Sequence, residues 1–182
     1  MLLAVVALPA ALAALLAAPG RAGRAARAAA PFAALPGLVP ALGPGGEAEV
    51  GWLFLGARLG VDETARVFLL LAALVWTAAG LSLGPTLDRL GPASTRFLVF
   101  ALLAMSGTLG AAVSLDAISF YAFFATMTLA AYGVAVAIPT AFARRAGRVY
   151  IGMAVLGEAL LLAGLAMAAT AAGGVGLAEI RT

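Results

Sequence analysis

The chain contains no cysteine and no histidine, and all eleven of its basic residues are arginine. Without cysteine there is neither a disulfide framework nor thiolate chemistry. Without either residue the usual zinc, haem and iron–sulfur ligands are missing, so neither a metal nor a cofactor is expected. Charge is scarce too. Only 10% of the 182 residues are charged and 64% are hydrophobic, against about 25% and 45–50% in soluble domains. That balance leaves no room for an extramembrane catalytic module. The sequence also offers no phosphate loop, nucleophile–base pair or dinucleotide fingerprint, so an enzyme with its own active site is the least supported class. A net charge of +3 would suit nucleic acid only if the arginines clustered, and they do not. The want of lysine in an Ala- and Gly-rich chain reads as compositional bias of the genome.

What remains is apolar. A mean hydropathy of +1.11 across a whole chain points to several transmembrane helices. The expected fold class is an all-α membrane protein, a single transmembrane domain over residues 1–182 with about six spans. These are Leu2–Ala18 (ended by Pro19-Gly20), Ala30–Leu42, Ala65–Leu83, Arg96–Leu115, Ala117–Ile138 and Val149–Ala172. The second is short and broken by Pro31, Pro36 and Pro40, which forfeit backbone hydrogen bonds. It survives only where neighbouring helices shelter it.

Arginine placement sets the orientation. Arg21, Arg24, Arg27, Arg89, Arg96, Arg144, Arg145 and Arg148 fall after spans one, three and five, while Arg58, Arg66 and Arg181 fall on the other side. The positive-inside bias then places both termini outside, in a multi-pass protein of the bacterial inner (cytoplasmic) membrane. The first segment has no charge before its core and three arginines after it. That polarity favours a retained helix over a cleaved signal peptide. Residues 43–64 form the one substantial outer loop. Within it Val50–Leu59 is β-prone, which predicts a short extended segment or hairpin at about 50–60, with Trp52 and Phe54 at the membrane interface.

Three features carry candidate chemistry. Glu158, in VLGEALLLAG, lies ten residues past Arg148, about 15 Å along a helix axis and so near mid-membrane. An ionisable group at that depth is a proton-relay or ion-site candidate, against the plainer reading of a hydrogen-bonded glutamate that glues two helices. Tyr121, Ala125, Thr128 and Tyr132 are spaced 4, 3 and 4 apart and share one helical face, a polar stripe with a methyl group at its centre. Its plainer reading is helix packing with hydroxyl bonds to backbone carbonyls. Ser106, Gly107, Gly110, Ala111 and Ser114 form rows of small residues that predict a close-packing face for another helix. Asp62 and Asp116 sit at span ends, where solvated loop carboxylates are expected.

Three stretches also resemble a known family. They are LFLGARLGVDETARVFLLLAALVWTAAGLSL, STRFLVFALLAMSGTLGAAVSLDAISFYAFFATMTLAAYGVAV and AGRVYIGMAVLGEALLLAGLAM, together covering about residues 53–168. In order and predicted topology they look like the N-terminal half of the antiporter-like membrane subunits of respiratory complex I, of multi-subunit sodium/proton antiporters and of membrane-bound hydrogenases. The resemblance implies an outer hairpin before the third helix and a glutamate in helix five, within a Phe-Phe-Glu-x-Met-Thr-Leu-x-x-Tyr-like pattern. Lined up on Phe123, Phe124, Met127, Thr128, Leu129 and Tyr132, that glutamate falls on Ala125. The lysine that partners it in the family belongs to a seventh helix, beyond the six segments here. By the same resemblance Glu158 matches an acidic position in helix six of some relatives.

The expected function is therefore that of an integral subunit of a larger complex I-like or antiporter-like ion-translocating assembly. It would be a truncated or split antiporter-like subunit without its own Glu–Lys couple, in a structural or half-channel role. Its partners would be other membrane subunits and the lipid bilayer. An NADH:quinone oxidoreductase-like or hydrogenase-like complex is the enzyme it would serve. The alternatives are a purely structural or assembly subunit with no ion path, and a stand-alone small membrane transporter.

Overall fold

The computed structural model describes residues 1–18, 20–53, 56–138 and 140–180. Expectations attached to Pro19, Phe54 and Arg181 lie outside these. The helices are α1 (Leu2–Leu16), α2 (Arg21–Ala29), α3 (Leu38–Leu42), α4 (Glu63–Ser82), α5 (Gly84–Leu90), α6 (Ser94–Val113), α7 (Ala117–Ala135), α8 (Ala141–Ala172) and α9 (Leu177–Ile180), with a hairpin of β1 (Glu47–Val50) and β2 (Ala57–Gly60) between α3 and α4. Among the described residues, four helical stretches are long and apolar enough to cross a membrane: Glu63–Ser82, Gly84–Val113, Ala117–Ala135 and Ala141–Ala172. A fifth is present if the pair Arg21–Phe32 and Leu35–Leu42, bent by 43°, is one broken span. The first segment is a helix of 15 residues, about 22 Å long, shorter than a hydrocarbon core of about 30 Å.

Helix starts follow from side-chain caps. The Asp62 carboxylate accepts from the Ala65 amide at 2.6 Å and starts α4. The Thr140 hydroxyl accepts from the Ala143 amide at 3.0 Å and starts α8. That cap lies well before Val149, so the loop expected around Arg144, Arg145 and Arg148 is helix instead. Arginine is a good helix former, and nothing between Thr140 and Val149 stops the helix. α8 closes at Gly173, which takes φ +73°, a left-handed C-cap that suits glycine. The run around Arg21–Arg27 is likewise the helix α2.

The Pro-broken segment runs antiparallel to α4. Pro31 lies against Gly80, where an added Cβ would sit 2.7 Å from the Pro31 Cα, and Gly37 lies against Leu69, Ala73 and Val5. At its far end the Arg66 guanidinium donates to the carbonyls of Ala41 (3.1 Å) and Gly43 (2.7 Å). Carbonyls at and just beyond the end of α3 are thus satisfied by a side chain of the sheltering helix.

The hairpin pairs Glu47 with Gly60, Ala48 with Leu59, Glu49 with Arg58 and Val50 with Ala57. Its strands lie at 47–50 and 57–60, so residues 51–53 and 56 of the stretch expected to be extended fall outside them, and Gly56 adopts φ +110°. Alternation turns Val50, Ala57 and Leu59 inward and leaves Glu47, Glu49 and Arg58 exposed. β2 then docks on the α6–α7 turn. The Leu115 amide donates to the Arg58 carbonyl at 2.8 Å. Residues 175–177 join the other edge, with Ala117 N–H to the Val175 carbonyl and Leu177 N–H to the Leu115 carbonyl, both at 2.9 Å.

Asp116 sits at the centre of this crosspiece, and it is buried rather than solvated, at 4% exposure. Its carboxylate accepts from the Ser119 amide (2.8 Å), the Ser119 hydroxyl (2.7 Å) and the Arg58 amide (2.9 Å). The sequence expectation saw only a span end. The N-cap and the hairpin amide together explain why the carboxylate tolerates burial.

The core lies between α1, α4 and α6. Leu59, Leu69, Leu102, Leu109 and Val113 are nearly inaccessible. The Ser106 hydroxyl donates to the Val6 carbonyl of α1 at 2.8 Å. Gly107 and Gly110 instead meet α7: a Cβ on Gly107 would lie 2.6 Å from the Met127 nitrogen, and one on Gly110 would overlap the Phe123 ring. Ser114 bonds back to the Gly110 carbonyl at 2.8 Å. Ala111 lines a groove between α4 and α7. The row of small residues is therefore divided between α1, met by Ser106, and α7, met by Gly107 and Gly110.

Candidate functional site

α7 and α8 pack antiparallel along a narrow stripe. Gly147 is the one buried residue of α8, and Ile151, Ala154, Glu158, Leu161 and Leu165 continue its face as half-buried positions. Gly147 lets Val136 and the Tyr132 ring approach the α8 backbone. The register this sets brings Glu158 of α8 opposite Thr128 of α7, and the Thr128 hydroxyl and a Glu158 carboxylate oxygen are hydrogen-bonded. Two of the residues singled out from sequence thus meet.

Three further oxygens join them. The Thr128 hydroxyl is 3.1 Å from the Ala125 carbonyl, and the Tyr150 phenol donates to the Thr128 carbonyl at 3.2 Å. A threonine hydroxyl has one proton to give. Facing an ionised Glu158, it donates across to the carboxylate. Facing a neutral Glu158, it accepts the acid's proton and donates its own to the Ala125 carbonyl. The site therefore holds a connected Glu158–Thr128–Ala125 chain that can be rearranged by moving hydrogens alone. Among the described residues a hydroxyl, not a cation, is the partner of Glu158.

Ala125 is half-buried on α7, one turn before Thr128. The position at which the resemblance implies a carboxylate thus lies beside the residue that Glu158 reaches from the next helix. Tyr121 and Tyr132 are half-buried, and neither lines the groove at Glu158. That groove, of about 410 Å³, is bounded by Phe120, Phe124, Thr128, Tyr150, Gly157 and Glu158, among others. Tyr150 was not singled out from sequence. Its signal was there, since Tyr150, Ala154 and Glu158 repeat every four residues and share a face.

A second and larger groove, about 930 Å³, lies between α4 and α7 over the floor of α6. At the hairpin end it is rimmed by Glu47, Arg58, Asp62 and Glu179, and deeper in by apolar residues such as Phe68, Val75 and Trp76. At the opposite end, Arg27 donates to the Ser94 hydroxyl at 3.0 Å and Arg96 to the Ala137 carbonyl. Those arginines hold helix ends together.

No protein-family model matches the sequence, and no curated protein does. Solved structures do match. A chain of the membrane-bound sulfane sulfur reductase (MBS), an archaeal respiratory membrane complex, superposes with a TM-score of 0.75 at 19% identity over 98% of this chain and 39% of its own length. A chain of the Mrp complex from Dietzia sp. DQ12-45-1b gives 0.67 at 23% identity, over 98% of this chain and 20% of its own. At such identities the likeness is one of fold. The fold is shared with part of the matched chains of the MBS and Mrp complexes, and the chain spans about two fifths and one fifth of their lengths.

Proposed function

We propose that these residues form part of an integral membrane subunit of a larger ion-translocating assembly, in which Glu158 of α8, rather than a carboxylate on α7, supplies the ionisable group of a half-channel. The observation that carries this reading is the Glu158–Thr128 hydrogen bond, one turn from Ala125, within a fold also found in the MBS and Mrp complexes. A carboxylate in the middle of a long apolar helix is costly to keep, and such residues mark ion or proton routes. The 182 residues include no lysine, so a lysine partner for Glu158 would have to come from outside them. The arginine distribution supports termini on the outer side of a bacterial inner membrane, with the hairpin exposed there.

The test is Glu158→Gln in the assembled complex. Ion movement should fall while assembly is retained, because the amide keeps the shape and the contact with Thr128 but cannot shed a proton. Unchanged ion movement would favour the second reading, a subunit that only holds its neighbours together. One observation supports that alternative: Thr128 also bonds within its own helix, as a packing hydroxyl does. Size analysis after detergent extraction separates both from a stand-alone transporter, which would run as a monomer or homo-oligomer.

A further inference from the structure

The two grooves flanking α7 share two lining residues, Phe120 and Phe124. Their rings stack with centroids 6.0 Å apart and planes inclined by 24°. On one side lies the larger groove, whose polar rim is at the hairpin end of the bundle. On the other lies the Glu158–Thr128 groove. Neither is closed by this chain alone. In a membrane, hydrocarbon or a partner helix seals the lateral opening and admits no water. The barrier that then remains between the polar rim and Glu158 is the phenylalanine pair.

We infer that Phe120 and Phe124 form a hydrophobic gate between a vestibule open to the hairpin side and the Glu158 carboxylate. Resting on the half-channel reading above, this assigns the route by which water reaches Glu158. Closed, the stacked rings present apolar surface to both grooves, and a constriction of that kind stops conduction by excluding water. Space for opening lies on the Glu158 side. Gly157 lines that groove with the two rings and has no side chain to obstruct a ring turned toward it, and such a turn takes the ring out of the partition between the grooves. The stripe read from sequence ran through Tyr121 and Tyr132, whereas the rings that divide the grooves lie on the adjacent face of α7.

The absence of native cysteine gives the test a silent background. In sealed membranes holding the full chain, Glu158→Cys is exposed to a charged, membrane-impermeant methanethiosulfonate added on the hairpin side, with Ala112→Cys in the larger groove as a reference. Ala112→Cys should label readily in every background. Labelling of Glu158→Cys should be slow, and should rise about tenfold when combined with Phe124→Ala, the change that a ring–ring barrier of ordinary size would give. Phe124→Leu, a smaller change should the alanine variant fold poorly, should give an intermediate rate. Equal Glu158→Cys rates in all three backgrounds, or acceleration only with reagent on the opposite side, would overturn the gate. The readout does not depend on transport. A ring-dependent rate with normal ion movement in Glu158→Gln removes the half-channel and keeps the gate, and the converse pair of results removes the gate alone.

Discussion

α6 and α8 are both apolar enough to cross a membrane, yet they keep different company. In the stretch containing α6, 56% of the most apolar segment is buried within the chain, whereas in α8 the share is 6%. Hydropathy marks both as spans and is silent about neighbours. The difference lies in what the small residues face. Gly107 and Gly110 admit the α7 backbone and the Phe123 ring, while Gly152, Gly157 and Gly164 of α8 have nothing within 4 Å. In lipid, where apolar surface alone does not draw helices together, close backbone approach and interhelical polar contacts decide which pairs are fixed. α6 and α7 have both. α8 has one buried glycine, Gly147, and reaches α7 through Glu158 and Tyr150.

That contrast can be broken most directly at Gly107. Gly107→Leu should destabilise the bundle by more than about 3 kcal/mol, because the added side chain meets α7 backbone that has nowhere to go. Gly157→Leu should change stability by no more than about 0.5 kcal/mol. Thermal unfolding in detergent compares them. If Gly157→Leu prevents assembly without altering the isolated chain, the open face of α8 is a subunit contact.

A middle-sized effect belongs to the α6–α7 turn. Asp116→Ala leaves the Arg58 and Ser119 amides without their acceptor in a buried place, at a cost of about 2–3 kcal/mol. Asp62→Ala, at the start of α4, should cost about 1 kcal/mol as the loss of a helix cap. Equal losses would show that the hairpin contributes nothing through Asp116. The smallest effect is expected at the α7–α8 contact. Glu158→Gln should shift stability by less than about 1 kcal/mol, since an amide still bonds Thr128. A larger loss would mean that α8 depends on that carboxylate for its place.

Much of this was readable from residue types. Apolar runs located four of the long helices, and the hairpin and the small-residue row on α6 were visible as patterns. Asp62, Asp116 and Thr140 mark helix starts, and reading them as caps would have placed the beginning of α8 correctly. The misplacements share a cause. Arg21–Arg27 and Arg144–Arg148 are charged runs beside apolar spans, a pattern that reads as loop, whereas the first forms the separate helix α2 and the second the opening turns of α8. The burial of Asp116 was not legible locally, because its third hydrogen bond comes from Arg58, 58 residues away. The meeting of Glu158 with Thr128 depends on the register that Gly147 fixes, which no single-helix pattern contains.

The crosspiece at the hairpin end has a consequence for the order in which the protein is made. Its parts are residues 57–60, 114–117 and 175–177, brought together from three widely separated stages of synthesis. The first two can pair as soon as α7 has entered the membrane. The last waits for the whole of α8, so the Ala117 amide and the Leu115 carbonyl stay open until the ribosome has passed Leu177. That end closes only after α8 has been made, and a nascent chain held before that point presents an unpaired strand edge that a chaperone or a partner subunit can engage.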